Sequence, residues 1–228
     1  MTRPKAWLAW SSGKDAAWSL HAVRQTGELD VVGLLTTVTT EYERVTMHGV
    51  REALLAAQAS AVGLPLHRVR IPTPCPQEAY DNAMRAVLAE ARAEGVTRVI
   101  FGDLFLADVR AYREERLREV GMTACFPLWQ MDTHKLAREM IARGLKALVT
   151  CVDPAKAPRE IAGRAFDEAL LSSLPPSADP CGENGEFHSF VWDGPMFSHP
   201  LSVSVGEVVE REGFVFCDVL AAAKADNA

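Results

Sequence analysis

The sequence has no long uninterrupted apolar run, no paired cysteines and no excess of positive charge. No apolar stretch approaches the roughly 20 residues that a membrane-spanning helix requires, and no cleavable signal pattern follows the first residues. The five cysteines are scattered without a C-x-x-C pair, which argues against a disulfide framework and a zinc knuckle. The formal net charge of −6 argues against a protein that works on nucleic acid. These absences predict a cytoplasmic protein with free thiols and no membrane contact.

The composition and the hydrophobic pattern are those of a globular α/β protein. The chain has 228 residues, of which 48% are hydrophobic and 24% charged, enough to bury a core without cross-links. From residue 5 to about residue 152, short β-rich runs alternate with longer helical patterns. Because this alternation is typical of βαβ units, it predicts a doubly wound parallel sheet with helices on both faces.

The pattern changes after about residue 153. A helix predicted over 162–174 is followed by a proline-rich break, and the β-rich runs 201–205 and 213–219 then indicate paired antiparallel strands. Whether the chain forms a homo-oligomer stays open. The predicted segments are a parallel α/β domain, a smaller C-terminal α+β region on the substrate side and a flexible tail, over 1–153, 154–220 and 221–228 respectively.

The most informative segment joins the first predicted strand to the first predicted helix. There the chain reads Ser11-Ser12-Gly13-Lys14-Asp15-Ala16, mostly small or polar residues. Successive backbone N–H groups at a helix N-terminus, with small side chains beside them, form a cradle for a phosphate. Lys14 adds a positive charge, and Asp15 offers oxygen ligands to a magnesium ion. A polar turn with a serine N-cap has the same pattern, so the residues alone leave both interpretations open.

The loop resembles the S-G-G-x-D-S signature of the N-type ATP pyrophosphatases, the PP-loop or adenine nucleotide alpha hydrolase-like superfamily. Ser11, Gly13 and Asp15 match that signature. The resemblance implies a Rossmann-like parallel sheet that binds ATP across its strand ends and cleaves between the α- and β-phosphates. Two positions depart from it, because Ser12 replaces a glycine and Ala16 replaces the final serine. Ser12 is tolerated without strain if its φ stays negative, whereas Ala16 loses a hydroxyl hydrogen bond to phosphate.

Further segments resemble one branch of that superfamily, the diphthine–ammonia ligase family, which completes diphthamide on elongation factor 2. Residues 101–104 (Phe-Gly-Asp-Leu) and the arginine-rich stretch 108–115 resemble its fourth-strand motif and the helix behind it, and Pro-Leu-Trp at 127–129 resembles a second short motif. Residues 182–187 (Gly-Glu-Asn-Gly-Glu-Phe), followed by Asp-Gly-Pro at 193–195, resemble its G-E-x-G-E-[YF] and D-G-P motifs. Together the motifs cover most of the chain, from residue 5 to about residue 197.

The resemblance implies an ATP-dependent, AMP-forming ligase. An acceptor carboxylate attacks the α-phosphate of ATP and releases pyrophosphate, and ammonia then displaces AMP to leave an amide. The implied cofactors and partners are ATP, Mg²⁺, ammonia and a carboxylate-bearing acceptor whose identity stays open. The candidate site residues are Lys14, Asp15, Glu183 and Glu186 for catalysis, Ser11, Ser12, Gly13, Lys14, Asp15, Ala16, Gly102 and Asp103 for the nucleotide, and Asp15 and Asp103 for magnesium.

Alternative interpretations remain at this stage. The arginines of the helical pattern at 108–120 are nearly as well explained by a solvated helix face. The spacing of Cys181, Glu183, Glu186 and His188 fits no usual structural metal site, so the two glutamates are better assigned to ammonium, magnesium or the acceptor.

Two other functions also stay open. An adenylating sulfur transferase acting on RNA shares the implied fold, but it usually needs paired cysteines and a basic extension, which the sequence lacks. A nucleotide-binding sensor without ligase chemistry would be compatible with the missing hydroxyl at Ala16.

Overall fold

Strands and helices alternate along the chain much as the hydrophobic pattern predicts. The computed structural model describes residues 2–40, 44–45 and 49–222. The strands are β1 (Lys5–Ala9), β2 (Asp30–Thr39), β3 (Arg44–Val45), β4 (Leu66–Ile71), β5 (Val96–Ile100), β6 (Thr123–Cys125), β7 (Lys146–Val152), β8 (Phe187–Asp193), β9 (Val203–Arg211) and β10 (Phe214–Ala221). The helices are α1 (Lys14–Thr26), α2 (Glu52–Val62), α3 (Gln77–Ala93), α4 (Ala107–Glu119), α5 (Thr133–Ala142) and α6 (Glu168–Ser173).

The helix ends follow local sequence signals. Gly27 and Gly63 adopt left-handed φ values of 64° and 71° and end α1 and α2, because glycine takes this conformation without steric strain. The side chains of Asp132 and Asp167 accept hydrogen bonds from backbone N–H groups in the first turns of α5 and α6. These caps fix where the loops around the sheets begin.

The first sheet is mostly parallel, and its centre is β1. β1 pairs with β2 on one side and with β5 on the other, and β4 and β6 extend the parallel sheet outward from β2 and β5. The short β3 pairs antiparallel with the end of β2. This order confirms the predicted doubly wound, Rossmann-like sheet. The strands β2 and β4 lie on one side of β1, and β5 and β6 lie on the other. A topological switch point therefore lies between the carboxyl ends of β1 and β5.

The second sheet is antiparallel, in the order β8-β7-β10-β9. Its β9 and β10 confirm the predicted pairing of two C-terminal strands. However, the hydrophobic pattern places β7 at the end of the parallel domain, whereas β7 pairs antiparallel with both β8 and β10. A buried apolar run has the same pattern in either kind of sheet, so periodicity could not separate the two cases. We therefore propose a domain boundary between β6 and β7 rather than after residue 153.

Three other segments differ from the sequence-based expectation. The helix predicted over 162–174 is confined to α6, because Ala165 forms an antiparallel bridge with Leu148 of β7. The hydrophobic pattern also predicts a helix over 47–62; α2 begins at Glu52, and Met47 lies outside the described residues. The predicted tail starts at Ala221, which is the last residue of β10, and 223–228 lie outside the described residues.

Among the described residues, one of two hydrophobic clusters joins the two sheets. Leu8 of β1, Leu20 of α1 and Phe190 of β8 are all completely buried in one cluster, together with Val215 of β10. Each such side chain stabilises the fold by about 1.5–3 kcal/mol through burial. In the described part of the chain, no helix combines the length and apolar character needed to cross a membrane.

Candidate active site

A cavity of about 490 Å³ opens at the carboxyl ends of β1, β2 and β5. This is the switch point of the parallel sheet, where open α/β sheets bind ligands, and the volume suits a small-molecule ligand. The cavity has walls from both sheets, because the segment that leads into β8 closes its far side. Residues of that far wall are Cys181, Gly182, Glu183, Gly185, Phe187, His188 and Ser189.

The loop after β1 opens α1 toward the cavity. Gly13 is the N-cap of α1, and its backbone N–H lies 3.3 Å from Ser11 Oγ, which accepts a hydrogen bond from it. The backbone N–H of Lys14 donates to Ser189 Oγ over 3.2 Å, so β8 holds the first turn of α1. Asp15 and Ala16 line the cavity at the start of the helix, where backbone N–H groups have no acceptor within the helix. The N-terminus of α1 at Asp15 and Ala16 therefore faces the cavity, as the predicted anion cradle requires.

Ser12 does not keep the negative φ that tolerance of its side chain would require. Its φ is 72°, and the residue is completely buried. A non-glycine residue in this region costs roughly 1–2 kcal/mol, so the turn is strained. The Ser12 carbonyl accepts hydrogen bonds from Gln58 Nε2 at 3.0 Å and from the Val191 backbone N–H at 3.0 Å. The Ser12 hydroxyl has no hydrogen-bond partner among the described residues. A serine thus occupies a conformation that glycine would take without strain.

Lys14 is directed toward the C-terminal region. Its side chain is buried, its ammonium forms an ion pair with Asp15 Oδ2 at 2.8 Å, and it donates a hydrogen bond to the Cys181 carbonyl. The rings of Phe166 and Phe187 lie 5.7 and 5.4 Å from the ammonium nitrogen. Burial is the largest single influence and would lower the pKa of Lys14, but the charge and hydrogen bond of Asp15, together with Cys181 and Asp179, outweigh it and raise the pKa. Lys14 therefore stays protonated and connects the loop to the far wall of the cavity.

Asp15 has one carboxylate oxygen available for a cation. Oδ2 takes part in the ion pair with Lys14, whereas the buried Oδ1 has no hydrogen-bond partner within residues 2–40, 44–45 and 49–222. Burial raises the pKa of Asp15, and the charge of Lys14 opposes that shift. The described residues contain no group of three or more His, Cys, Asp or Glu side chains arranged to hold a metal. A magnesium ion here would depend on Asp15 and on phosphate oxygens, as Mg²⁺ commonly does.

Gly102 allows the loop after β5 to press against the start of α1. A Cβ atom at Gly102 would lie 2.8 Å from the backbone carbon of Asp15 and 2.9 Å from the backbone nitrogen of Ala16. Such distances exclude any larger side chain unless the backbone shifts. The glycine of the fourth-strand motif therefore has a steric reason, and it brings the β5 loop to the cradle.

Asp103, the next residue, already has a cationic partner. Its Oδ2 lies 3.1 Å from Nε of Arg113 on α4, although the angle is not that of a hydrogen bond. The Arg113 guanidinium also lies 4.4 Å from the centroid of the Phe101 ring. Asp103 lines the cavity, but the arginine competes with a metal for its oxygen.

Glu183 fastens the far wall of the cavity to the loop after β5. Its Oε1 accepts hydrogen bonds from the backbone N–H groups of Leu104 at 2.6 Å and Phe105 at 3.3 Å. Burial raises the pKa of Glu183 to about 7, in spite of the hydrogen bond from Leu104, and the charge of Asp15 adds to the rise. A carboxyl group that titrates near neutral pH in a cavity can exchange protons with a bound substrate.

The structure does not bring Glu186 into the cavity beside Glu183. Glu186 is 2% exposed, and its Oε1 accepts hydrogen bonds from the Asp179 backbone N–H at 2.8 Å and from Asn184 Nδ2 at 3.2 Å. Its carboxylate therefore shapes the loop that carries Glu183. The two glutamates are three residues apart on a sharply turning loop, so sequence could not show that they point in different directions.

Sequence reasoning gave no role in the site to three residues that build it. Gln58 on α2 donates a hydrogen bond to the Ser12 carbonyl, and Ser189 on β8 accepts one from the Lys14 backbone N–H, so both hold the loop after β1. His188 lines the cavity, and burial, assisted by the charge of Lys14, lowers its pKa to about 4, so its imidazole is neutral at pH 7. One signal was present in the sequence, since Gln58 is a polar residue at helical spacing among apolar ones.

Comparisons with known proteins show the family of the chain. Residues 4–124 match a family model described as the diphthamide synthase N-terminal domain, and residues 132–224 match the diphthamide synthase C-terminal domain. A diphthine–ammonia ligase of Rattus norvegicus is 27% identical over 177 residues, which are 71% of this chain and 66% of the relative. Its Homo sapiens counterpart is 25% identical over the same coverage. A Schizosaccharomyces pombe protein of that name is 30% identical over 108 residues, 46% of this chain and 18% of the relative. The chain spans at most about two thirds of the length of these relatives.

Proposed function

Because the chain belongs to the diphthamide synthase family, we propose that it is an ATP-dependent ligase that forms AMP and amidates a carboxylate with ammonia. The observation that carries this proposal is the anion cradle from Ser11 to Ala16 at the switch point, closed by a far wall from the second sheet. That wall contains the segment from Gly182 to Phe187, which resembles the ligase motif. The family assignment also favours a ligase over an RNA sulfur transferase.

The residues present fit a triphosphate with magnesium. Asp15 Oδ1 is buried without a hydrogen-bond partner in the described chain, and a divalent cation would satisfy it. The start of α1 favours negative charge beside Asp15 and Ala16 through its backbone N–H groups. Magnesium would neutralise phosphate charge there. Asp103 is the second carboxylate at this edge, and we assign the ion to Asp15 because Asp15 lies in the first turn of α1, where the helix N-terminus faces the cavity.

For this reaction the protein must position the acceptor and the phosphates and stabilise the negative charge that develops on the phosphates. In the first step, an acceptor carboxylate oxygen bonds to the α-phosphorus while the bond to the pyrophosphate oxygen breaks. In the second, the ammonia nitrogen bonds to the acyl carbon, AMP leaves and a proton is released. The backbone of the loop orients the phosphates in line with the acceptor. Lys14 holds the loop against the far wall, which keeps the two substrates on facing sides of the cavity.

Glu183 is our candidate for the acceptor and ammonia side. It lines the cavity opposite the loop, and both hydrogen bonds that it accepts end on Oε1. A carboxyl group with a pKa of about 7 can bind ammonium and accept its proton near neutral pH. Glu186 is not retained in this role, because its carboxylate is engaged within its own loop.

The reaction products test the proposal. The protein is incubated with ATP, magnesium, ammonium and a panel of carboxylate acceptors, and the nucleotides are separated by chromatography. AMP and pyrophosphate are expected, in amounts that depend on both acceptor and ammonium. ADP with free phosphate would contradict the proposal, and tight ATP binding without turnover on any acceptor would indicate a sensor instead.

A matched pair of variants tests which carboxylate serves magnesium. Asp15→Asn keeps the shape of the side chain but removes its charge, so turnover should fall by about 10²-fold, the scale of losing one positioned electrostatic group. Asp103→Asn should change the magnesium dependence of ATP affinity much less, because Asp103 lies in the loop after β5 and not in the first turn of α1. Calorimetric titration of ATP at several magnesium concentrations separates them. Equal magnesium dependence in both variants would contradict the assignment to Asp15.

A further inference from the structure

A glutamine on the apolar face of α2 binds three separate elements of the site. Gln58 is completely buried. Its Oε1 accepts a hydrogen bond from Trp10 Nε1 at 2.8 Å, and its Nε2 donates to the Ser12 carbonyl at 3.0 Å and to the Val191 carbonyl at 2.6 Å. Both N–H groups of the amide are therefore used. One side chain thus joins the end of β1, the phosphate loop and β8.

The loop residue that Gln58 holds is the one in an unfavourable conformation. Ser12 has a φ of 72°, which a residue with a Cβ atom adopts only when its surroundings enforce it. Two hydrogen bonds to the Ser12 carbonyl enforce it here, from Gln58 Nε2 and from the Val191 backbone. A glycine would need no such restraint, since it takes this conformation freely.

We propose that Gln58 is a positioning residue for ATP, which holds the phosphate loop in its left-handed turn and thereby compensates for a serine at residue 12. The proposal rests on the proposed function in one respect, namely that the loop binds phosphate. Without the hydrogen bond from Gln58 to its carbonyl, Ser12 can relax toward a favourable φ. That rotation moves Gly13 and the first N–H groups of α1 away from the position that suits a phosphate.

The test is a double-mutant cycle between residues 58 and 12. Gln58→Met keeps the volume of the side chain but removes both donors and the acceptor for Trp10, and Ser12→Gly removes the conformational strain. Gln58→Met alone should weaken ATP binding about tenfold, the scale of coupling within one hydrogen-bond network. In the Ser12→Gly background the same change should weaken it less than about threefold. ATP affinity is measured by calorimetry, so turnover is not required.

A second measurement follows the conformation of the loop in the absence of nucleotide. Amide hydrogen exchange of residues 13–17 should accelerate in Gln58→Met and return toward the parent rate when Ser12→Gly is added. If the parent protein binds no ATP, the proposed function fails, whereas this exchange cycle still decides the role of Gln58. Gln58→Leu provides the cycle if Gln58→Met does not fold, because it also removes the amide donors and places no charge in the buried site.

Ala59→Gly is the matched control. It weakens the same helix by removing a good helix former, and it leaves the hydrogen bonds of Gln58 in place. It should lower stability without changing ATP affinity or the exchange of residues 13–17. The proposal is overturned if Ala59→Gly weakens ATP binding as much as Gln58→Met does. It is equally overturned if the loss in Gln58→Met is the same in both backgrounds.

Discussion

Glu183 and Glu186 illustrate at the scale of the residue how two similar side chains divide their tasks. Glu183 lines the cavity, whereas Glu186 holds its own loop and has a buried Oε2 without a partner in the described part of the chain. Glu183→Gln should leave ATP affinity within a few-fold and lower ammonia-dependent turnover by about 10²-fold. Glu186→Gln should instead lower the free energy of unfolding by about 1–3 kcal/mol, because its new NH₂ group is buried unsatisfied.

Denaturant unfolding and AMP release, measured side by side, separate the two glutamate variants. A Glu183→Gln protein with normal turnover would remove this residue from the acceptor side. A Glu186→Gln protein with unchanged stability but impaired turnover would reverse the assignment.

Glu183 also makes stability depend on pH. Burial raises the pKa of its carboxyl from 4.5 to about 7, so the folded protein binds its proton more readily than the unfolded chain does. Between pH 4.5 and about pH 7 the folded state holds more protons than the unfolded state. The free energy of unfolding therefore decreases as the pH rises through this range. We expect Glu183→Gln to flatten this decrease. Urea unfolding at several pH values across that window measures it, and an unchanged slope would contradict the environment assigned to Glu183.

At the scale of the element, the contact between the β5 loop and the start of α1 fixes the cradle. Gly102→Ala would place a Cβ atom 2.8 Å from the backbone carbon of Asp15, and overpacking of this kind costs about 1–3 kcal/mol. The rigid backbone of α1 must shift, so both stability and ATP affinity should fall. Thermal unfolding and ATP calorimetry are the measurements.

Gly206→Ala is the control for that substitution. Its Cβ would lie 3.1 Å from the Asp218 carbonyl oxygen in the second sheet, away from the cavity. It should reduce stability and leave ATP affinity unchanged. Equal losses of affinity in both variants would mean that Gly102 acts through general stability alone.

The elements also show what sequence can and cannot predict. Period and caps give β1, α1, β5 and their loops, because those signals are local, and the switch-point rule places Ser11 to Asp15 and Asp103 at one edge. β7 was assigned to the wrong sheet, because an apolar run carries no information about the direction of its neighbours. The contacts of Gln58 with Ser12 and of Lys14 with Ser189 join residues 46 and 175 positions apart. No local pattern contains them.

At the scale of the whole molecule, the two sheets share a core and a cavity, so a ligand of that cavity should stabilise both. Leu8 and Phe190 belong to one buried cluster, and the cavity walls come from β1, β5 and the approach to β8. We expect a single unfolding transition whose free energy rises by about 2.7 kcal/mol when ATP is present at 100 times its dissociation constant. Hydrogen exchange should slow by the same factor in β5 and β8. Protection confined to β5 would show that the sheets respond independently.

The hydrogen bond between the Lys14 backbone and Ser189 also has a consequence for the order of synthesis. The loop emerges from the ribosome 175 residues before the hydroxyl that holds it. At about 5–20 residues per second, the delay is roughly 10 to 35 s. Throughout that interval the strained turn at Ser12 lacks its support from β8, and we expect a nascent chain halted before β8 not to be retained on immobilised ATP. The first strand to be translated provides part of the nucleotide site, and the site is complete only after β8 has been translated.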